Sequence, residues 1–119
     1  MHLIARLGIA ASLAIFAASA AAAGDYAPLN CSRATTATER TICTNYNLGQ
    51  SEARVATLYQ WTTALVAMGQ RDHIADEQAA FLKLRADCGS DAACIARAYD
   101  ARIHALEAVM NRIKEQGPF

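Results

Sequence analysis

From residue 36 onward, apolar residues recur three and four apart, the period of an amphipathic α-helix, and no β-branched run alternates as a strand would. Four helices follow from this pattern. Thr36, with Glu39 three residues later, is the Thr-x-x-Glu signature of a capping box, so the first helix is predicted to start there and end near Asn47. Its inner face reads as Glu39, Ile42, Cys43 and Tyr46. A second helix is predicted over 51–68, with Val55, Leu58, Tyr59, Thr62 and Val66 facing inward and the stretch 69–72 as a break. Asp72 is then placed to cap a third helix that carries Ile74, Gln78, Phe81, Leu82, Arg85 and Cys88 on one face, and 89–91 ends it. A fourth begins after Asp91, aligns Ile95, Tyr99, Arg102, Ile103, Leu106, Met110 and Ile113, and frays before Gly117 and Pro118. Short connections imply antiparallel neighbours. The expected fold is therefore all-α: a small disulfide-bonded antiparallel bundle of about four helices, the first lying across the other three.

Residues 1–23 have a different pattern. Arg6 precedes an apolar run over 7–17, and small residues follow at 21–23, which reads as a cleavable secretory signal. The remaining 24–119, about 96 residues, has room for a single helical domain. The apolar run is too short for a retained membrane span, and the expected location is periplasmic or secreted.

An exported setting decides how the four cysteines are read. In an oxidising compartment a small core gains from covalent closure, so two disulfides are expected. Of the three possible pairings, Cys31 with Cys43 and Cys88 with Cys94 is favoured because it closes two short loops, each stabilising the fold by about 2–3 kcal/mol in the chain-entropy model. Zinc fits poorly, because the cysteines are not spaced as paired CxxC knuckles. No CxxCH is present for a haem, and no cofactor is expected.

The helical spacing places three charges where the pattern calls for hydrocarbon: Glu39, Arg85 and Arg102. A buried charge needs a partner, so Glu39 is expected to pair with one or both arginines, with Gln78 and tyrosine hydroxyls completing a core network. The competing reading of the same residues is an arginine grip on an anionic ligand.

Candidate chemistry elsewhere is thin. His73 and Glu77 are four apart without an evident third metal ligand, and His104 lies opposite the apolar stripe of its helix. Asp87, Asp91, Asp100 and Glu107 offer carboxylates but no defined glycosidase pair, and there is no GxSxG. The chain is expected not to be an enzyme. Trp61, Leu65 and Met68 recur at i, i+4 and i+7 to one side of the second helix's inner stripe, next to Arg54. That edge is either a partner-binding or dimer surface or is covered by the first helix or by 24–30. Without Arg6, ten Lys and Arg stand against eleven Asp and Glu, a balance that argues against nucleic-acid binding.

Cys31, Ala34, Glu39, Ile42, Cys43 and Leu48, then Tyr59, then Gln78, Phe81, Leu82, Arg85, Cys88 and Cys94, and finally Tyr99, Arg102, Ile103 and Leu106 together resemble the LprI-type lysozyme-inhibitor domain family of small exported bacterial proteins. Two positions depart from the family pattern: Ser51 stands where an aspartate is frequent and Phe81 where a tryptophan is usual. The resemblance implies a helical, disulfide-bonded exported domain and, for some members, inhibition of lysozyme by protein–protein contact. Since a lysozyme cleft is acidic at its centre, an inhibitor is expected to insert a cationic or hydrogen-bonding group, for which Arg54, Arg71 or Arg97 is a candidate and the sequence singles out none. The alternative expectation is a non-inhibitory structural or stress-related module of the cell envelope.

Overall fold

The structure, a computed structural model, describes residues 29–117. The expected signal at 1–23 and the stretch 24–28 lie outside the described residues. A short 3-10 turn, Cys31–Arg33, leads into four α-helices: α1 Ala37–Thr44, α2 Tyr46–Leu65, α3 Met68–Asp87 and α4 Ala92–Glu115. The protein is an all-α bundle closed by two disulfides, Cys31–Cys43 and Cys88–Cys94, each with its Cα atoms 5.6 Å apart.

Helix α1 begins as its sequence dictates. The Thr36 side chain accepts from the Glu39 N–H, and the Glu39 carboxylate accepts from the Thr36 N–H in return, which satisfies two otherwise orphaned donors. Asn45 both ends α1 and caps α2, its side-chain oxygen accepting from Leu48 N–H at 3.2 Å. Helix α2 therefore starts at Tyr46, five residues before the expected start at Ser51. The Asn45 cap and burial of Leu48 outweigh the roughly 1 kcal/mol that the helical Gly49 costs.

The α2–α3 corner also differs from expectation. The chain turns at Val66 and Ala67, both extended, and 69–72 is helical. Asp72 thus lies inside α3 and caps nothing; Ala67 occupies the N-cap position without a side-chain bond. Arg71 stabilises the corner by donating from Nε to the Thr63 carbonyl at 2.8 Å, one of the last acceptors of α2 that lack a helical partner. Half-buried Val66 packs against the core and fixes the position of the turn.

At the other end, Gly89 adopts φ +58°, the left-handed conformation that a β-carbon disfavours, and Asp91 caps α4 by accepting from Cys94 N–H at 3.0 Å. The Cys88–Cys94 bond spans this turn.

Cross-helix contacts establish the topology. Glu52 of α2 meets Tyr99 of α4, and Arg54 further along α2 meets Glu107 further along α4, so these two helices run in the same direction. Arg85, late in α3, meets Glu52 and Tyr99, whereas Gln78, earlier in α3, meets Arg102, so α3 runs the opposite way. Helices α2 and α4 share the most extensive interface. The core consists of Ile42, Leu48, Val55, Tyr59, Ile74, Phe81, Ile95, Tyr99, Leu106, Val109 and Ile113. Helix α1 crosses the bundle end, where the Thr38 hydroxyl bridges towards the Ala86 and Gly89 carbonyls, at 3.2 and 2.8 Å. Two residues expected on inner faces are exposed instead: Tyr46 at 79% and Leu82 at 38%. Tyr46 opens α2 rather than closing α1, so the periodicity of α1 does not govern it.

Candidate functional site

Two groups of residues stand out, one internal and one on the surface. The internal group is built where α2, α3 and α4 converge. Arg85 donates from one guanidinium nitrogen to a Glu52 carboxylate oxygen at 2.7 Å and to the Tyr99 hydroxyl at 3.2 Å, and the Tyr99 hydroxyl donates to the same Glu52 oxygen at 2.5 Å. The Arg85 and Glu52 side chains are only 12% and 14% exposed. The Arg85 Nε is buried and has no hydrogen-bond partner among the described residues. Its guanidinium carbon lies 5.8 Å from the Phe81 ring centre and 5.9 Å from that of Tyr99, so the negative ring faces supply part of the missing stabilisation.

One turn along, Arg102 forms a second knot. Its Nε donates to the Gln78 side-chain carbonyl at 2.8 Å, while its terminal nitrogens donate to Glu77 at 3.2 Å and to the Ile74 backbone carbonyl at 3.0 Å. The Arg102 side chain is 4% exposed. Gln78 and Arg102 are thus brought together.

Glu39 is not part of either knot, which corrects its expected pairing with the arginines. Its carboxylate caps α1, and the Thr35 and Thr36 backbone N–H groups hold its pKa below the usual carboxylate range. A carboxylate that receives the amides of its own helix start has no reach left for α3 or α4. The acid that pairs with Arg85 is Glu52, which sequence reasoning missed. The signal was present: Glu52, Val55 and Tyr59 are spaced i, i+3, i+7 on the inner face of α2, within the expected helix 51–68.

Tyr99 is held protonated. Burial first, and then the negative charge of Glu52, raise its pKa well above the ordinary tyrosine value. Since the folded pKa exceeds the unfolded one, this contribution to stability is intact below about pH 10 and is lost as pH rises further. Thermal melting across that range should therefore decline more steeply for the wild type than for Tyr99→Phe; parallel curves would refute the assignment.

The surface group lies at the α2–α3 corner. Trp61 is 57% exposed, Leu65 43% and Met68 73%. Trp61 and Leu65 share a face of α2, one turn apart, but Met68 opens α3 and does not extend their stripe as its spacing suggested. Among the described residues no helix covers this edge. The corner also lies within a stretch, 55–70, that contains no ionisable side chain except Tyr59, and Arg54 and Arg71 bracket it. Arg54 is tied to Glu107 across α2 and α4, and Arg71 to the Thr63 carbonyl.

A shallow polar trough between α2 and α4 is lined by Arg54, Asp100, His104 and Glu107 among others. Asp100 and Glu107 are two turns apart, roughly 10 Å along the axis, and Glu107 is engaged by Arg54. Among the described residues no cluster of three or more His, Cys, Asp or Glu side chains is arranged to hold a metal, and no helix is long and apolar enough to cross a membrane. Comparison of the chain with protein-family models, curated proteins and solved structures returns no match.

Proposed function

We propose that the protein is an exported cell-envelope binding protein that acts by contact rather than catalysis, docking on a partner protein through the Trp61–Leu65–Met68 corner. The observation that carries this reading is the exposure of a tryptophan, a leucine and a methionine at one uncharged corner of a domain this small. Such a domain ordinarily uses its large apolar side chains as core, whereas interfaces are anchored by aromatic and Met residues surrounded by less critical contacts. The arginine knots support it from the other side: their hydrogen bonds are directed at Glu52, Tyr99, Gln78, Glu77 and a backbone carbonyl, so the internal charges hold the bundle together.

The partner class we propose is a lysozyme-type muramidase. The LprI-type resemblance of the cysteine, core and arginine positions supports this, as does Arg71 beside the apolar corner as a cation for an acidic cleft.

Titration of the oxidised protein into a peptidoglycan-lysis assay tests the reading. The expected result is near-stoichiometric inhibition, weakened about 30-fold or more by Trp61→Ala, the loss typical of an interface hot spot. Trp61→Ala should leave the melting temperature unchanged, because the ring is largely exposed. No inhibition of any lysozyme class at micromolar excess would overturn the muramidase assignment and favour a non-inhibitory envelope module.

A further inference from the structure

The face opposite the α2 side of the bundle has a surface feature that the proposed function does not use. Helices α3 and α4 leave between them a mostly apolar groove of about 250 Å³, lined by Ala80, Leu84, Ala98, Ala101 and Ala105 over Phe81, with the ion-paired Glu77 and Arg102 also on its wall. Leu84 is 64% exposed and projects beside alanines that leave a hollow. Because α3 and α4 are antiparallel and Leu84 lines the same groove as Ala98 and Ala101, knob and hole lie at the same height on neighbouring helices.

We propose that this face docks a second copy of the chain, forming a symmetric dimer about a two-fold axis parallel to the helices. Such an axis lays α3 of each copy on α4 of the other, antiparallel and in register, and so places each Leu84 over the alanine hollow of its mate. A surface that carries both knob and hole is self-complementary, as an isologous interface requires. Alanines let helices approach closely, and the four helices form a bundle of familiar geometry.

The charges agree with this arrangement. Arg97, exposed and one turn from Ala101, makes no ion pair among the described residues. Asp87 lies one turn beyond Leu84, and its partner is the exposed Lys83 of its own helix. The same two-fold axis brings Arg97 of each copy to Asp87 of the other. The size is adequate as well. Two helices side by side and about 20 residues long span roughly 20 by 30 Å, and the corrugation of that face brings it near the approximately 800 Å² per partner of a standard interface.

Sedimentation velocity from micromolar to near-millimolar concentration tests the proposal, with helicity monitored by circular dichroism. The expected result is a mass rising from one chain to two. Leu84→Glu should weaken the dimer at least tenfold with helicity intact, since Leu84 is outside the core. Arg97→Asp should weaken it, and Arg97→Asp combined with Asp87→Arg should restore it. Trp61→Ala should leave it unchanged, which separates this proposal from the binding corner. A single-chain mass at every concentration overturns the proposal, as does a dimer that tolerates Leu84→Glu or that is lost with Trp61→Ala instead.

Discussion

Reduction of both disulfides is expected to destabilise the protein by about 5 kcal/mol, as Cys31–Cys43 and Cys88–Cys94 close short loops with sequence separations of 12 and 6 and contribute about 2–3 kcal/mol each. For a domain of this size each kcal/mol moves the melting temperature by roughly 4–8 °C, so the shift should be tens of degrees. The two bonds act on different parts of the fold. Cys31–Cys43 ties the 3-10 turn to α1, a helix of only eight residues that would be marginal by itself. Cys88–Cys94 holds the α3–α4 turn on which Thr38 of α1 rests. Loss of the first bond should fray α1 and leave the three long helices in place, and loss of the second should loosen both α1 and the α3–α4 junction. Calorimetry of the paired Cys→Ser variants measures each contribution. Unchanged melting in the presence of reductant would contradict the role assigned to the bonds.

The second large effect is expected at the Glu52–Arg85 pair. Arg85→Met should cost about 3–5 kcal/mol, because it leaves a mostly buried Glu52 carboxylate with the Tyr99 hydroxyl in place of a cation. The double variant Glu52→Leu with Arg85→Met should recover most of that loss, since an apolar pair needs no charge compensation; the residual deficit is the Tyr99 hydroxyl deprived of its acceptor, about 1–2 kcal/mol. Chemical denaturation of the two single variants and the double variant gives the coupling energy directly. A double variant as unstable as the sum of the singles would show that the two charges do not act as a pair.

The pattern of agreement follows from the range of the interactions involved. The capping box at Thr36 and Glu39, the Asp91 cap and the inner stripe Val55, Tyr59 and Thr62 depend on residues within two turns of one another, so their spacing encodes them. Both cysteine pairs close loops within one structural neighbourhood and are legible for the same reason. The start of α2 was obscured because the expected first helix ran on to Asn47 with Tyr46 on its inner face, and only the Asn45 cap and the burial of Leu48 against the rest of the core reverse that reading. Gly69 to Asp72 likewise read as a break, until packing of Val66 placed the turn ahead of them.

The amino-acid sequence by itself determined that this protein is helical, that Thr36 caps the first helix and the last begins after Asp91, that its cysteines favour closing two short loops, and that Arg85 and Arg102 sit on apolar faces. Those are properties of neighbours along the chain. Only the tertiary structure decided that Glu52 rather than Glu39 neutralises Arg85, that Gln78 and Glu77 take Arg102, and that Trp61 faces outward. A carboxylate can satisfy its own helix start or a distant guanidinium but not both, and which it does depends on how the helices are rotated against one another. Helical periodicity ranks the faces of each helix; the rotation that brings particular faces together is fixed by packing between segments far apart in sequence.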